Sequence, residues 1–147
     1  MFTVLPFETD HLLAIHPDPH GSAALIGEAN LQRYAERFSG GPAVTLFKDD
    51  EPVACGGIVL MWPGVGEAWI VFGEKAYRYP KEIFRVCLRF MASAIKHFKL
   101  VRIQASTVAE FEEANRWAEH LGFIMEGTRR KYMGGQDYNS YALIVED

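Results

Sequence analysis

Between Pro80 and Phe98 the chain carries a helical repeat with a wide apolar surface. Ile83, Cys87, Phe90 and Ala94 fall on one line and Phe84, Leu88, Met91 and Ile95 on the next, leaving Glu82, Arg85, Arg89, Ser93 and Lys96 as a narrow polar face. Two adjacent apolar lines need a broad partner, so this helix is expected to lie buried against a sheet. The sheet is supplied just upstream. Three apolar runs, residues 44–47, 53–62 and 68–72, are separated by KDDEP and PGVGE, both rich in turn formers, and read as a three-stranded antiparallel meander.

The flanking segments extend the same plan. Residues 2–7 form a short apolar strand followed by a brief helix, and HPDPHGS breaks the backbone. From 22 to 38, Ala24, Leu31, Ala35 and Phe38 recur at helical spacing before the stop Ser39-Gly40-Gly41-Pro42. Val101, Ile103 and Ala105 alternate with Arg102, Gln104 and Ser106, the period of a strand with one buried face. Thr107-Val108-Ala109-Glu110 has the spacing of a capping box, and Phe111, Ala114, Ala118 and Leu121 give the stripe of the helix it would start, with Gly122 as its left-handed end. Residues 123–133 and 138–145, joined by GGQD, read as a β-hairpin. The order β, α, α, β, β, β, α, β, α, β, β predicts an α/β mixed sheet in a three-layer α/β/α arrangement, as one domain over residues 1–147.

Charge and cysteine usage narrow the function. A net charge of −4 lacks the basic footprint of a general nucleic-acid binder. Cys55 and Cys87 both sit inside apolar runs, where a free thiol serves as a small core residue, which suits a reducing cytoplasm. The N-terminus has no basic start leading into an apolar stretch, and no uncharged run approaches the roughly 20 residues of a membrane span. The expectation is an unexported protein without a membrane or nucleic-acid partner.

Above all the tail NRWAEHLGFIMEGTRRKYMGGQDYNSYALI, in which Leu121, Gly122, Phe123, Gly127, Tyr132, Asp137 and Tyr141 hold characteristic places, resembles the GCN5-related N-acetyltransferase (GNAT) superfamily. More narrowly, the WPGVGEAW turn and short length are similar to small acetyltransferase-like proteins of tailed phages and prophages. The resemblance implies a GNAT-like acyl-CoA N-acyltransferase fold, with acetyl-CoA as co-substrate and no metal. It places pantetheine along the fourth strand, at Ile70, Val71 and Phe72, and pyrophosphate at the helix start Arg78, Tyr79, Pro80 and Lys81. Asn115 is the nearest polar group for a further cofactor contact. It further implies Glu67 as general base, expected near Trp62 and Trp69, and Tyr132 as the candidate acid among the hairpin tyrosines Tyr132, Tyr138 and Tyr141.

Three positions depart from the family pattern. The pyrophosphate loop usually brings small residues close to phosphate, and Lys81 and Ile83 stand there instead. Counting back from Leu121, the family's acid tyrosine falls on Ala118 and its asparagine on Phe111. Two readings therefore stand side by side. One is an N-acetyltransferase acting on a small-molecule or protein amine; the other is a catalytically degenerate phage or prophage module that binds or builds, with phage structural proteins or a second copy in a homodimer as partners, in the host cytoplasm or the virion. Elsewhere, His16, Asp18 and His20 read as a surface loop, His97 and His120 as helix C-terminal residues, and Arg129, Arg130 and Lys131 as a solvated edge. The acceptor depends on residues 9–38, which carry no distinctive charge pattern.

Overall fold

The computed structural model describes residues 1–15 and 28–146. Its elements run β1 (Phe2–Pro6), α1 (Thr9–Ala14), α2 (Glu28–Phe38), β2 (Ala43–Lys48), β3 (Glu51–Trp62), β4 (Val65–Phe72), a 3₁₀ turn (Ala76–Arg78), α3 (Pro80–Phe98), β5 (Arg102–Val108), α4 (Glu112–His120), β6 (Ile124–Met133) and β7 (Gln136–Ile144). Residues 16–20 and the first part of the expected second helix, 22–27, lie outside the described residues.

The strands form one seven-stranded sheet in the order β1-β2-β3-β4-β5-β7-β6, with β4 and β5 parallel and every other pair antiparallel. Successive side chains of each strand point to opposite faces of the sheet, and helices cover both faces of its middle. On one face Leu12, Ile15, Ala35 and Phe38 pack on Cys55, Trp69 and Val71. On the other, Met91 and Ala94 of α3 and Ala118 of α4 pack on Ile58, Ile103 and Tyr141, while Ile83 packs on Leu46, Val53 and Ala54. The broad apolar surface of α3 is thus covered by the sheet and α4, except at Leu88, which is 42% exposed. No helix among the described residues is long and apolar enough to cross a membrane.

Turn chemistry sets the boundaries. Asp49 and Asp50 (φ 49° and 69°) close β2–β3, and Gly134 and Gly135 (φ 60° and 75°) close β6–β7, each as a two-residue turn in left-handed backbone conformation whose twist matches the right-handed twist of the strands it joins. Gly122 takes φ +100° after α4, where a side chain would be strained.

Three expectations need correction. β4 begins at Val65, three residues earlier than the apolar run, because Trp62 pairs with Val65 across Pro63-Gly64 and draws Gly66 and Glu67 into the strand. The last hairpin turns on two residues, so Gln136 and Asp137 belong to β7. The capping box at Thr107 does not form. Thr107 continues β5, paired with Asn139 of β7, and α4 starts at Glu112 with Phe111 at its N-cap. Sheet pairing satisfies the backbone of residues 107 and 108 more fully than a helix cap would, and the Thr107 hydroxyl is used on a side chain instead.

Candidate functional site

β4 and β5 register only at Val65↔Arg102, Gly66↔Ile103 and Glu67↔Gln104, and beyond Glu67 the two strands part. β4 stays paired to β3 as far as Phe72, and β5 to β7 as far as Val108, so the sheet forks without losing either half. The edge of residues 68–72 that faces β5 has no strand partner there. Parallel neighbours normally extend their ladder as far as both strands run, so an unzipped central pair leaves backbone donors and acceptors open to a ligand. A cavity of about 1140 Å³ occupies the fork.

The cavity reaches both faces of the sheet. On the α3 and α4 side it is lined by Pro80, Ile83, Val86, Cys87, Phe111 and Trp117. On the α2 side it is lined by Tyr34, Arg37, Phe38, Trp69, Tyr132 and Met133. Ile70, Val71 and Phe72 line it from β4.

The start of α3 stands at one end of this space. Pro80 occupies its first turn, where its missing N–H costs nothing, and the remaining free N–H groups and helix dipole favour an anion. The four residues expected here separate. Pro80 and Tyr77 line the cavity, whereas Lys81 is exposed and is not among the lining residues. Tyr79 turns the other way, edge-on to Phe2 of β1 at 5.2 Å. Arg78 donates from Nε to the Tyr77 hydroxyl at 3.2 Å, and that bond raises its already high pKa.

Glu67 sits where the fork opens. Its side chain is 25% exposed, and its Oε2 lies 3.8 Å from Nη2 of Arg37 in the last turn of α2. The alternation of β4 puts Glu67 on the same face as Trp69, whereas Trp62, the last residue of β3 beside the turn, is 61% exposed. Across the cavity mouth, Tyr132 is 47% exposed, edge-on to Tyr138 at 5.4 Å and under the Arg129 guanidinium at 5.0 Å.

Asn115 has become the hub of a polar network. Its Oδ1 accepts from the Thr107 hydroxyl, from Nδ2 of Asn139 at 3.1 Å and from the Tyr141 hydroxyl at 3.3 Å, and its own Nδ2 donates to the Ala109 carbonyl at 3.1 Å. Asn139 also accepts from Thr128 at 2.8 Å. The network ties α4 to β5, β7 and β6. Ala118 packs into the core beneath the same helix, beside Ile103 and Phe123.

Two residues that sequence reasoning did not single out complete the site. Arg37 and Tyr34 reach it from a helix some 30 positions before Glu67, and no local motif marks them. Trp69 lies flat against Phe38, with centroids 3.9 Å apart and planes 7° apart, and Trp117 stands edge-on to Phe72 at 5.5 Å and to Phe84 at 5.7 Å. Both indole Nε1 groups are buried without a hydrogen-bond partner among the described residues. Burial pushes the thiols of Cys55 and Cys87 up to about 12 and about 11, which suits core residues. No group of three or more His, Cys, Asp or Glu side chains among the described residues could hold a metal ion.

No family model and no curated protein sequence matches the chain. Solved structures do. A GNAT-family acetyltransferase from Bacillus anthracis superimposes with a TM-score of 0.70 at 18% identity, over 97% of this chain and 94% of the other. A ribosomal-protein-S5-alanine acetyltransferase from Vibrio fischeri gives 0.74 at 14% identity, over 99% and 94%. A ribosomal-protein α-N-acetyltransferase solved in complex with coenzyme A gives 0.70 at 12% identity, over 98% and 94%. At these identities the likeness establishes the fold, which is that of the GNAT acetyltransferases.

Proposed function

We propose that this chain is an acyl-CoA-dependent N-acyltransferase that moves an acetyl group from acetyl-CoA to an amine. The observation that carries the proposal is the fork: two parallel strands that part after Glu67 around a cavity of about 1140 Å³, with a helix start at its end. A pantetheine arm is a chain of amides, and the unpartnered edge of residues 68–72 offers the alternating donors and acceptors that such a chain can pair with. Pro80 opens a helix whose free N–H groups suit a pyrophosphate.

In this reading the cleft holds the thioester carbonyl and the amine in contact, which supplies much of the rate by removing the entropic cost of their meeting. Glu67, three-quarters buried and steadied by Arg37, takes the proton from the attacking amine, directly or through one water. The tetrahedral intermediate collapses with loss of CoA thiolate, protonated by the Tyr132 hydroxyl or by solvent. Ala118 cannot supply that proton and Asn115 is occupied, so the acid comes from the hairpin side of the cleft or from water.

The competing reading is a binding or structural module, phage-associated in origin, that kept the sheet and lost the reaction. Its support is specific: Glu110, Glu112 and Glu113 outnumber Arg116 in the lining of the same cavity and repel phosphate, while Ala118 and Phe111 leave no polar side chain at the family's positions.

Acetyl-CoA titrated in a thermal melt separates the two. Millimolar acetyl-CoA is expected to raise Tm, because a ligand bound only by the native state stabilises it by mass action. Glu67→Gln should keep that shift while lowering the rate of amine-dependent CoA release by about 10²-fold or more. Absence of both a Tm shift and calorimetric heat defeats the transferase, and full turnover by the Gln variant removes Glu67 from the mechanism.

A further inference from the structure

We propose that the lobe of the cavity on the α2 side takes an amine carried on a flat apolar body, an arylalkylamine in chemical class. The inference rests on the acyl-transfer reading. If the donor's arm fills the side lined by Pro80, Val86 and Trp117, an amine attacking the carbonyl enters from the opposite side of the fork, past Glu67.

That opposite lobe is built of rings. Phe38 lies flat on Trp69 and Tyr34 packs against Phe38 at 6.0 Å, while Phe7, itself outside the lining, meets Trp69 edge-on at 5.1 Å. Across from them, Tyr132 stands edge-on to Tyr138. The Tyr34 hydroxyl donates to Sδ of Met133 at 3.0 Å, so α2 is tied to the terminal hairpin and the two walls hold a fixed spacing. Such walls recognise a planar apolar group by stacking, and their ring faces also favour an arriving ammonium before Glu67 takes its proton.

The charges point the same way. Among the described residues that line this lobe the charged pair is Arg37 and Glu67, and they face each other. A polyamine needs several carboxylates spaced along its length, and an acidic amine needs a basic group without a partner; among the described residues, the lining from α2, β4 and the terminal hairpin gives this one pair.

The test measures acetyl-CoA-dependent thiol release by the full chain with 2-phenylethylamine, tryptamine, spermidine, glutamate and a short alanine-led peptide. The two arylalkylamines are expected to show kcat/KM at least about tenfold above the rest, the range an apolar pocket can discriminate. Tyr34→Ala should erase that preference mainly through KM while leaving the acetyl-CoA Tm shift intact, and Tyr34→Phe should retain most of it. A higher kcat/KM for spermidine, glutamate or the peptide, with acetyl-CoA still stabilising the protein, overturns the acceptor assignment alone. A second arm needs no donor. 2-Phenylethylamine should quench tryptophan fluorescence saturably, and should do so far less in Trp69→Phe; no saturable quenching overturns the proposal even if acetyl-CoA binds, whereas quenching without any response to acetyl-CoA keeps the aromatic site and removes the transferase.

Discussion

Asn115, expected as a cofactor contact, is instead held by contacts the sequence does not display and is not among the residues lining the cavity. Three donors converge on its Oδ1 from β5 and β7. Replacing it with leucine strands those donors in a part-buried site, and a loss of about 2–3 kcal/mol is expected in chemical denaturation; a change under about 0.5 kcal/mol would show that water fills the role. The two thiols make a second prediction at this scale. Burial raises Cys55 and Cys87 from an ordinary 9.0 to about 12 and about 11, so the folded state favours the neutral thiols. Their contribution is complete below pH 9 and is lost as the pH climbs from 9 toward 11–12. Native protein at pH 8 should therefore resist iodoacetamide, with both thiols reacting on denaturation; rapid native labelling of Cys55 would contradict its burial.

At the scale of elements, local rules succeeded where the backbone had no competitor. Gly134-Gly135 and Gly122 lie where the chain must take positive φ, and substitution of Gly135 by alanine should cost about 1 kcal/mol by melting. They failed at Thr107, where helix cap and strand extension compete for the same residues and β7 decides in favour of the strand. The consequence is measurable: Glu110→Ala should change stability by less than about 0.5 kcal/mol, as a surface substitution does, while Thr107→Val should cost about 1–2 kcal/mol through the hub. A loss near 1 kcal/mol at Glu110 would restore the capping box. The wide surface of α3 and the alternation of β5 were both legible, because each reflects one periodicity against one apolar neighbour.

The whole molecule adds the fork. Native-state hydrogen exchange should find residues 68–72 less protected on the side facing β5 than residues 65–67, and acetyl-CoA should slow the former selectively; uniform protection along β4 would mean the strands close up in solution. The order of elements, the burial of α3, the tight hairpins and the glycine after α4 were all determined by sequence, since periodicity and φ preference act over a few residues at a time. The parting of β4 from β5, the pairing of Arg37 with Glu67 and the joining of Tyr34 to Met133 were decided only by tertiary structure. These contacts link positions 30 to 99 residues apart, and which groups meet across such distances follows from how both helical layers settle on a twisted sheet rather than from any local pattern.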